Sequence, residues 1–358
     1  MLECGKVLVS LQARLAAGDG YSTQRKIKGA RFREPGMRAR VLVAGDVNID
    51  IVLSGLANLP RSEQDIVADR LDILIGGQAA TTARALARLG LQVSIAGRVG
   101  QDDYGSRALR ELRADGVDVS GITVDPALQT GMTVVLSAGT ERAFATYMGS
   151  ISALRRSDIG HERLANADHL HVSSFYLQSF LRPETPQLFD EAHQLGLTVS
   201  VDPGWDSSGE WRNDLLAILG RIDVFLPNEL EAMTITSTRT VEEALDILAE
   251  SSQTVVIKRG ELGAIARSGA KVAACPSLPV RVVDVTSAGD VFNAGFLYAY
   301  LAGWDIQRAL ELANACGALA TTRVGSLGVV SGVDEVQAFL RAHGREVTLP
   351  IIPKGVQS

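Results

Sequence analysis

The run Val283-Asp284-Val285-Thr286-Ser287-Ala288-Gly289-Asp290, continuing from Val291 to Gly303, decides how the rest of the chain is read. A short apolar strand is expected to end at Asp284, followed by a turn of small residues. A helix then opens near Ala288, with Phe292 and Phe296 one turn apart on its core face. Ser287, Ala288 and Gly289 carry little side chain, so a ligand can come close to the backbone. The first-turn N–H groups of a helix lack partners within it, and its dipole is positive at that end. Together they offer a site for an anion. Asp290 falls inside that first turn, and a carboxylate beside an anion cradle suggests a base next to a phosphate under transfer. Spacing alone favours a capped strand-to-helix crossover, of which α/β proteins contain many.

Upstream, Val41-Leu42-Val43-Ala44-Gly45 reads as a buried parallel strand. Asp46-Val47-Asn48-Ile49-Asp50 then places polar side chains at the carboxyl edge, where open α/β sheets bind ligands. Apolar residues alternate from Ile51 to Ile75 around a turn at Pro60-Arg61 and suggest two exposed strands; Thr133–Leu136 and Ala143–Tyr147 read similarly. Gly76-Gly77-Gln78-Ala79-Ala80-Thr81-Thr82-Ala83 leads into an Ala/Leu-rich helix ending near Gly90, and its paired glycines permit close backbone approach. Val93–Ala96 is a strand, and Gly97 to Gly105 a glycine-punctuated turn with a helix cap. His169–Ser173 and Thr198–Val201 flank a helix around Pro186–Leu195, and Asp202-Pro203-Gly204 leaves another carboxylate at a strand end. His169 and His171 alternate on one strand and read as structural residues, not metal ligands. Val224-Phe225-Leu226 precedes Pro227-Asn228-Glu229-Leu230-Glu231, Thr254–Ile257 leads into Lys258-Arg259-Gly260-Glu261-Leu262-Gly263, and Leu310–Thr321 is an Ala-rich helix. Alternating strands and helices predict an α/β fold with a doubly wound, mainly parallel sheet.

The 358 residues, 46% hydrophobic with 35 glycines, fit one large α/β domain with a small appendage and a substantial core. Net charge is −6, yet residues 1–40 carry nine Lys/Arg against three Asp/Glu (+6), leaving 26 against 38 (−12) for the remainder. An acidic body without a basic stripe argues against nucleic acid as a partner. Cys4, Cys275 and Cys316 lack metal-ligand spacing and cannot all pair, which points to a reduced, cytoplasmic setting. No apolar run reaches transmembrane length and no signal-peptide pattern stands at the N-terminus, so a soluble protein with no membrane partner is expected. Residues 1–37 read as a disordered leader in which Val7–Leu15 could form a short helix, 38–345 as the folded domain, and 346–358 as a tail. The chain holds no internal repeat, no G-x-x-x-x-G-K-[ST] and no G-x-G-x-x-G after a strand. Phosphate binding must therefore rest on Ser287–Asp290.

Asp284–Asp290 resembles the D-x-x-[GA]-A-G-D signature of the ribokinase-like (PfkB) carbohydrate kinases. Gly97–Gly105 is similar to that family's G-x-V-G-x-D-x-x-G, Gly76-Gly77 to the head of its Gly-Gly-x-x-x-Asn, and Asn228–Glu231 to its N-x-x-E. The motifs stand in family order and the resemblance spans roughly residues 41–340. It implies a small β-sheet lid over the sugar site, built from strands at about 51–75 and 130–148. It also implies that Asp290 is the catalytic base, with Ser287, Ala288 and Gly289 in the anion hole.

For the substrate, the resemblance implies Asp50 with Asn48, the Gly76-Gly77-Gln78 turn, the position of Thr81, and the lid carboxylate Glu141. A turn carboxylate and a hairpin-tip charge are the plainer readings of Asp50 and Glu141. Asn228, Lys258, Gly260, Gly263 and Asn314 would face ATP. Glu231 would act on Mg²⁺ through water, since that ion dehydrates reluctantly. Asp284, Thr286, Arg323 and Gly325 match a loop that holds a monovalent cation such as potassium, and the lid admits a homodimer. Thr81 departs from the pattern: it offers one hydroxyl where Asn offers an amide, which bears on which sugar is bound. The reading is an ATP-dependent kinase acting on a hydroxymethyl group of a sugar or sugar-like substrate. Its rivals are a nucleoside kinase of the same family and a catalytically silent sugar sensor, against which the intact Asp290, Asn228 and Glu231 argue.

Overall fold

The structure, a computed structural model, describes residues 39–139, 141–206, 209, 211 and 214–345. The leader with Val7–Leu15 and the tail beyond Arg345 lie outside the described residues. Seven strands precede residue 150: β1 Arg40–Ala44, β2 Asn48–Ser54, β3 Arg70–Gly76, β4 Gln92–Gly100, β5 Asp118–Asp125, β6 Gly131–Ala138 and β7 Glu141–Tyr147. Then come β8 His169–Val172, β9 Thr198–Val201, β10 Val224–Phe225, β11 Thr254–Lys258, β12 Ala264–Ser268 and β13 Lys271–Cys275.

Nine of them form one sheet in the order β13-β12-β11-β10-β9-β8-β1-β4-β5. From β11 to β5 every pairing is parallel, and only the β12 and β13 edge runs antiparallel. The central strand shows why the sheet is layered. Val41 and Val43 join the core under the helices Gln78–Arg88, Ala288–Leu301 and Ile306–Ala320, whereas Leu42 joins a second core under Thr185–Gln194 and Val241–Ala249. Alternate side chains leave opposite faces of a strand, so a run of apolar residues buries both. The chain builds outward from β1 through β4 to β5 and then returns to β8 on the other side of β1. That reversal places a crevice at the carboxyl ends of β1 and β8, the usual ligand position in such sheets.

The lid is a separate four-stranded sheet, β3-β2-β6-β7, inserted between β1 and the helix Gln78–Arg88 and again after β5. Near its root Ile49 and Ile75 pack into the main core. Its other face buries Val52, Leu74 and Val135 against Val324.

Two expectations change. Val283–Asp284 is not a strand: Val282, Val283 and Val285 are 56%, 52% and 58% exposed. The segment is tied by the N–H groups of Val283 and Asp284, both donating to the Thr321 carbonyl. Its valines mimic a strand pattern, but among the described residues no edge pairs with it. Gly97–Gly100, expected as a turn, instead extends β4, and the cap begins only at Asp102. His169 and His171 are structural, as their alternation suggested: both are buried, share the Ser200 hydroxyl at 2.7 Å, and are pushed by burial to about 3 and about 4.

Among the described residues no helix is long and apolar enough to cross a membrane. Cys275 and Cys316 are free and buried.

Candidate active site

The carboxyl ends of β1, β8, β9, β10 and β11 carry Asp46, Ser174, Asp202, Asn228 and Lys258. Asp46 is buried and accepts the N–H groups of Gln78 at 3.0 Å and Ala79 at 3.2 Å, so it caps the helix Gln78–Arg88. Burial pushes its pKa up, against those hydrogen bonds. The glycine pair shows why no other residue suits the turn. Gly77 has φ 96°, and a Cβ there would stand 2.5 Å from the Asp46 carbonyl. A Cβ on Gly76 would overlap the Asp50 carboxylate. Gln78 accepts the Ser174 hydroxyl at 2.6 Å, and Thr81 is buried in the helix behind it.

Asp50 lies on β2 facing this turn, with Asn48 Nδ2 donating to its Oδ1 at 3.0 Å. Burial, followed by the nearby Asp46 charge, raises it to about 7, and Asp284 adds to the push. The lid register sorts its neighbours. Asp50 pairs with Thr133, Thr133 with Thr146, and Ser137 with Arg142. Directly paired residues share a face, so Asp50 and Arg142 belong to the same side of the lid. Glu141, paired with Ala138, is on the opposite side and exposed.

Opposite the lid, the helix Ala288–Leu301 opens from Ser287, which is left-handed at φ 66° and provides no side-chain cap. The Ala288 N–H donates to the Val285 carbonyl at 3.2 Å. The N–H groups of Ser287, Gly289 and Asp290 make no hydrogen bond among the described residues. The N–H groups of this turn left for a ligand are therefore those of Ser287, Gly289 and Asp290, not that of Ala288. Asp290 is buried, with its pKa well above the ordinary value, first through burial and then through the Asp202 charge. Its backbone carbonyl accepts the Thr82 hydroxyl at 3.4 Å, which docks this helix on the one after the glycine pair.

Behind the anion hole stands a group whose cooperation the sequence left unread. Asp202 Oδ2 accepts Lys258 Nζ at 2.6 Å and Asn293 Nδ2 at 2.6 Å. Burial pulls the two charges in opposite senses, yet the Lys258 charge keeps Asp202 low and the Asp202 charge keeps Lys258 high. A Cβ on Gly289 would come within 3.8 Å of Lys258 Nζ, so the ammonium lies directly under the turn.

Asn228 and Glu231 form a reciprocal cap, each backbone N–H donating to the other's side chain at 2.8 Å. Glu231 is buried and raised to about 7, by burial and then by Asp202. Gly260 turns at φ 58° in open space, whereas Gly263 packs on the backbone of Cys275 and Pro276. Asn314 Nδ2 is committed to the Cys275 carbonyl at 2.9 Å. Gly263 and Asn314 thus tie the β11–β12 loop and the helix Ile306–Ala320 to the end of β13.

Of the residues matched to a monovalent cation, Asp284, Thr286 and Gly325 come together and Arg323 does not. Asp284 accepts the N–H groups of Thr286 and Gly325 at 2.8 Å each, and Arg142 Nη1 reaches its Oδ1 at 2.7 Å. These hydrogen bonds and the Arg142 charge outweigh burial and hold Asp284 low. Arg323 turns outward to Glu335. Among the described residues no group of three or more His, Cys, Asp or Glu is placed to hold a metal ion. A Mg²⁺ that keeps most of its waters needs no such group, and a single buried carboxylate such as Glu231 suits it.

A family model for the pfkB family of carbohydrate kinases matches residues 38–330. The ATP-dependent ribose-1-phosphate kinase of Halopiger xanaduensis is 34% identical over 84% of this chain and 98% of its own length. The ribokinase of Bacillus subtilis is 27% identical over 84% and 99%. Among solved structures, a putative ribokinase II from E. coli in complex with ATP and Mg²⁺ superposes with a TM-score of 0.77 at 28% identity, covering 85% of this chain and all of that one. The chain belongs to the pfkB family. It is a carbohydrate kinase with the ribokinase-like fold.

Proposed function

We propose that this chain transfers the γ-phosphoryl group of ATP to a hydroxymethyl group of a pentose-type sugar, with Asp290 as the base. The observation that carries the reading is Asp290 itself: a buried carboxyl in the first turn of a helix whose Gly289 and Asp290 N–H groups make no hydrogen bond among the described residues. Phosphoryl transfer is largely positioning and charge stabilisation, and these groups fit both needs. Asp290 takes the proton of the acceptor hydroxyl as that oxygen bonds to the γ-phosphorus and the bond to ADP breaks. The Gly289 and Asp290 amides, with Lys258 beneath them, balance charge on the transferred group. Asp50 and Asn48 orient the sugar hydroxyls. Glu231 would hold Mg²⁺ through water, and the ion would neutralise phosphate charge. A relative acting on ribose 1-phosphate and another on ribose support a ribose-type sugar over a nucleoside.

An ADP-coupled assay across pentoses, pentose phosphates, hexoses and nucleosides tests the reading. Fastest turnover with a pentose or its phosphate supports it, a preferred nucleoside replaces it with the rival, and no turnover on any acceptor removes it. The lid face bearing Glu141 also exposes Leu71 and Tyr147, 56% and 54% accessible. We read that face as the contact with a second copy, and a monomeric sedimentation velocity profile would refute this.

A further inference from the structure

Arg142 is placed in the active site by the lid register and not by any family motif noted in the sequence. It lies on the face of the lid that carries Asp50, and its guanidinium inserts between the lid and the anion-hole turn. All its contacts run through one nitrogen: Nη1 touches Asp284 at 2.7 Å and the Thr286 hydroxyl at 3.3 Å. Nε and Nη2 make no hydrogen bond among the described residues. The side chain is only 18% exposed. A guanidinium anchored through one amine and free along its other edge is prepared for a second, bidentate anion.

The surroundings say where that anion would come from. Asp284 bears on Asp50, so Arg142 borders the sugar chamber and stands apart from Lys258, which is bonded to Asp202 and Asn293. Asp284, whose pKa is held low, and Asp50 beside it would repel an acidic substituent unless a cation on the lid side offset them. A neutral sugar needs no such cation.

We propose that Arg142 is a specificity-determining residue that recognises an anionic substituent, phosphate or carboxylate, on the acceptor sugar. This rests on the kinase reading above and narrows its substrate class. Nη1 stays on Asp284 while Nε and Nη2 grip the substituent, so lid closure and substrate charge are read by one side chain.

The test compares ATP-dependent turnover of ribose, ribose 1-phosphate and a five- or six-carbon sugar acid by wild type, Arg142→Ala and Arg142→Lys. Wild type should prefer one of the two anionic acceptors over ribose, and which one it prefers identifies the substituent. In Arg142→Ala the ratio of kcat/KM for that acceptor over ribose should fall about 10- to 100-fold, the scale of a lost charged hydrogen-bond pair, mainly through KM. Arg142→Lys should recover part of the ratio. Calorimetric binding of the same acceptor without ATP should weaken in parallel. Wild-type preference for ribose, or an equal loss on all acceptors in Arg142→Ala, would make Arg142 a structural latch and overturn the proposal. Absence of turnover on every acceptor would instead sink the kinase reading itself.

Discussion

Asp290→Asn keeps the size of the side chain and removes the proton acceptor. Turnover should drop by roughly 10²–10⁴, the range for a positioned base, while ATP binding measured by calorimetry stays near wild type. Retention of most activity would move the base elsewhere. Asp50 makes a different prediction, through stability. Its carboxyl titrates near 7 in the folded chain against an ordinary value of 3.8. Over that window the folded protein holds a proton that the unfolded chain has released, so stability falls as pH rises from about 4 to 7. Glu231, also raised to about 7, acts in the same sense. The melting temperature of the ligand-free protein should therefore decline across this range, less steeply in Asp50→Asn. An unchanged slope in that variant would mean that Asp50 is not held in a desolvated position. The first-turn position of Asp290 was legible from its small neighbours, whereas its role as base came only from the family resemblance. The pairing of Lys258 with Asp202 was not legible, since it depends on two strand ends 56 residues apart meeting in space.

At the scale of elements, the junction from β3 into the helix Gln78–Arg88 is the tightest point of the site. Gly77→Ala meets both a positive φ and a backbone oxygen, and should cost about 1–3 kcal/mol in chemical unfolding. A loss near zero would show that the turn can relax. The turn from Val285 to Ala288 carries a second prediction. Because the Arg142 guanidinium already meets Asp284, turnover should be the same in potassium, sodium and a bulky organic cation. Potassium stimulation would place an ion elsewhere on the Arg323–Gly325 loop. The lid also marks the limit of reading by pattern. Its four strands were legible from alternation, but which of Glu141 and Arg142 faces the sugar turns on a one-residue register. That register is fixed by the pairing of β6 with β7 and is invisible in either strand alone. The exposed valines of 282–285 failed for the converse reason: their pattern suits a strand, and among the described residues no strand pairs with them.

For the whole molecule, the doubly wound sheet was legible because strand and helix patterns alternate, and the two cores follow from the apolar run at Val41–Ala44. Ligands that bind the folded chain stabilise it by an amount that grows with the logarithm of their concentration above Kd. ATP with Mg²⁺, and separately the preferred acceptor, should raise the melting temperature, and the acceptor's effect should shrink in Asp50→Ala. An equal shift in that variant would place the sugar away from the lid. The topology also bears on synthesis. β1 is made early, yet its partner β8 arrives late: Arg40 bonds to Asp168, 128 residues further on. Until then the nascent chain presents the central strand as an open edge, a template for wrong pairing. The helix that carries Asp290 docks on Thr82 across 208 residues. A chain halted before that helix emerges thus carries all thirteen described strands of both sheets, yet lacks Asp290, the base proposed for phosphoryl transfer.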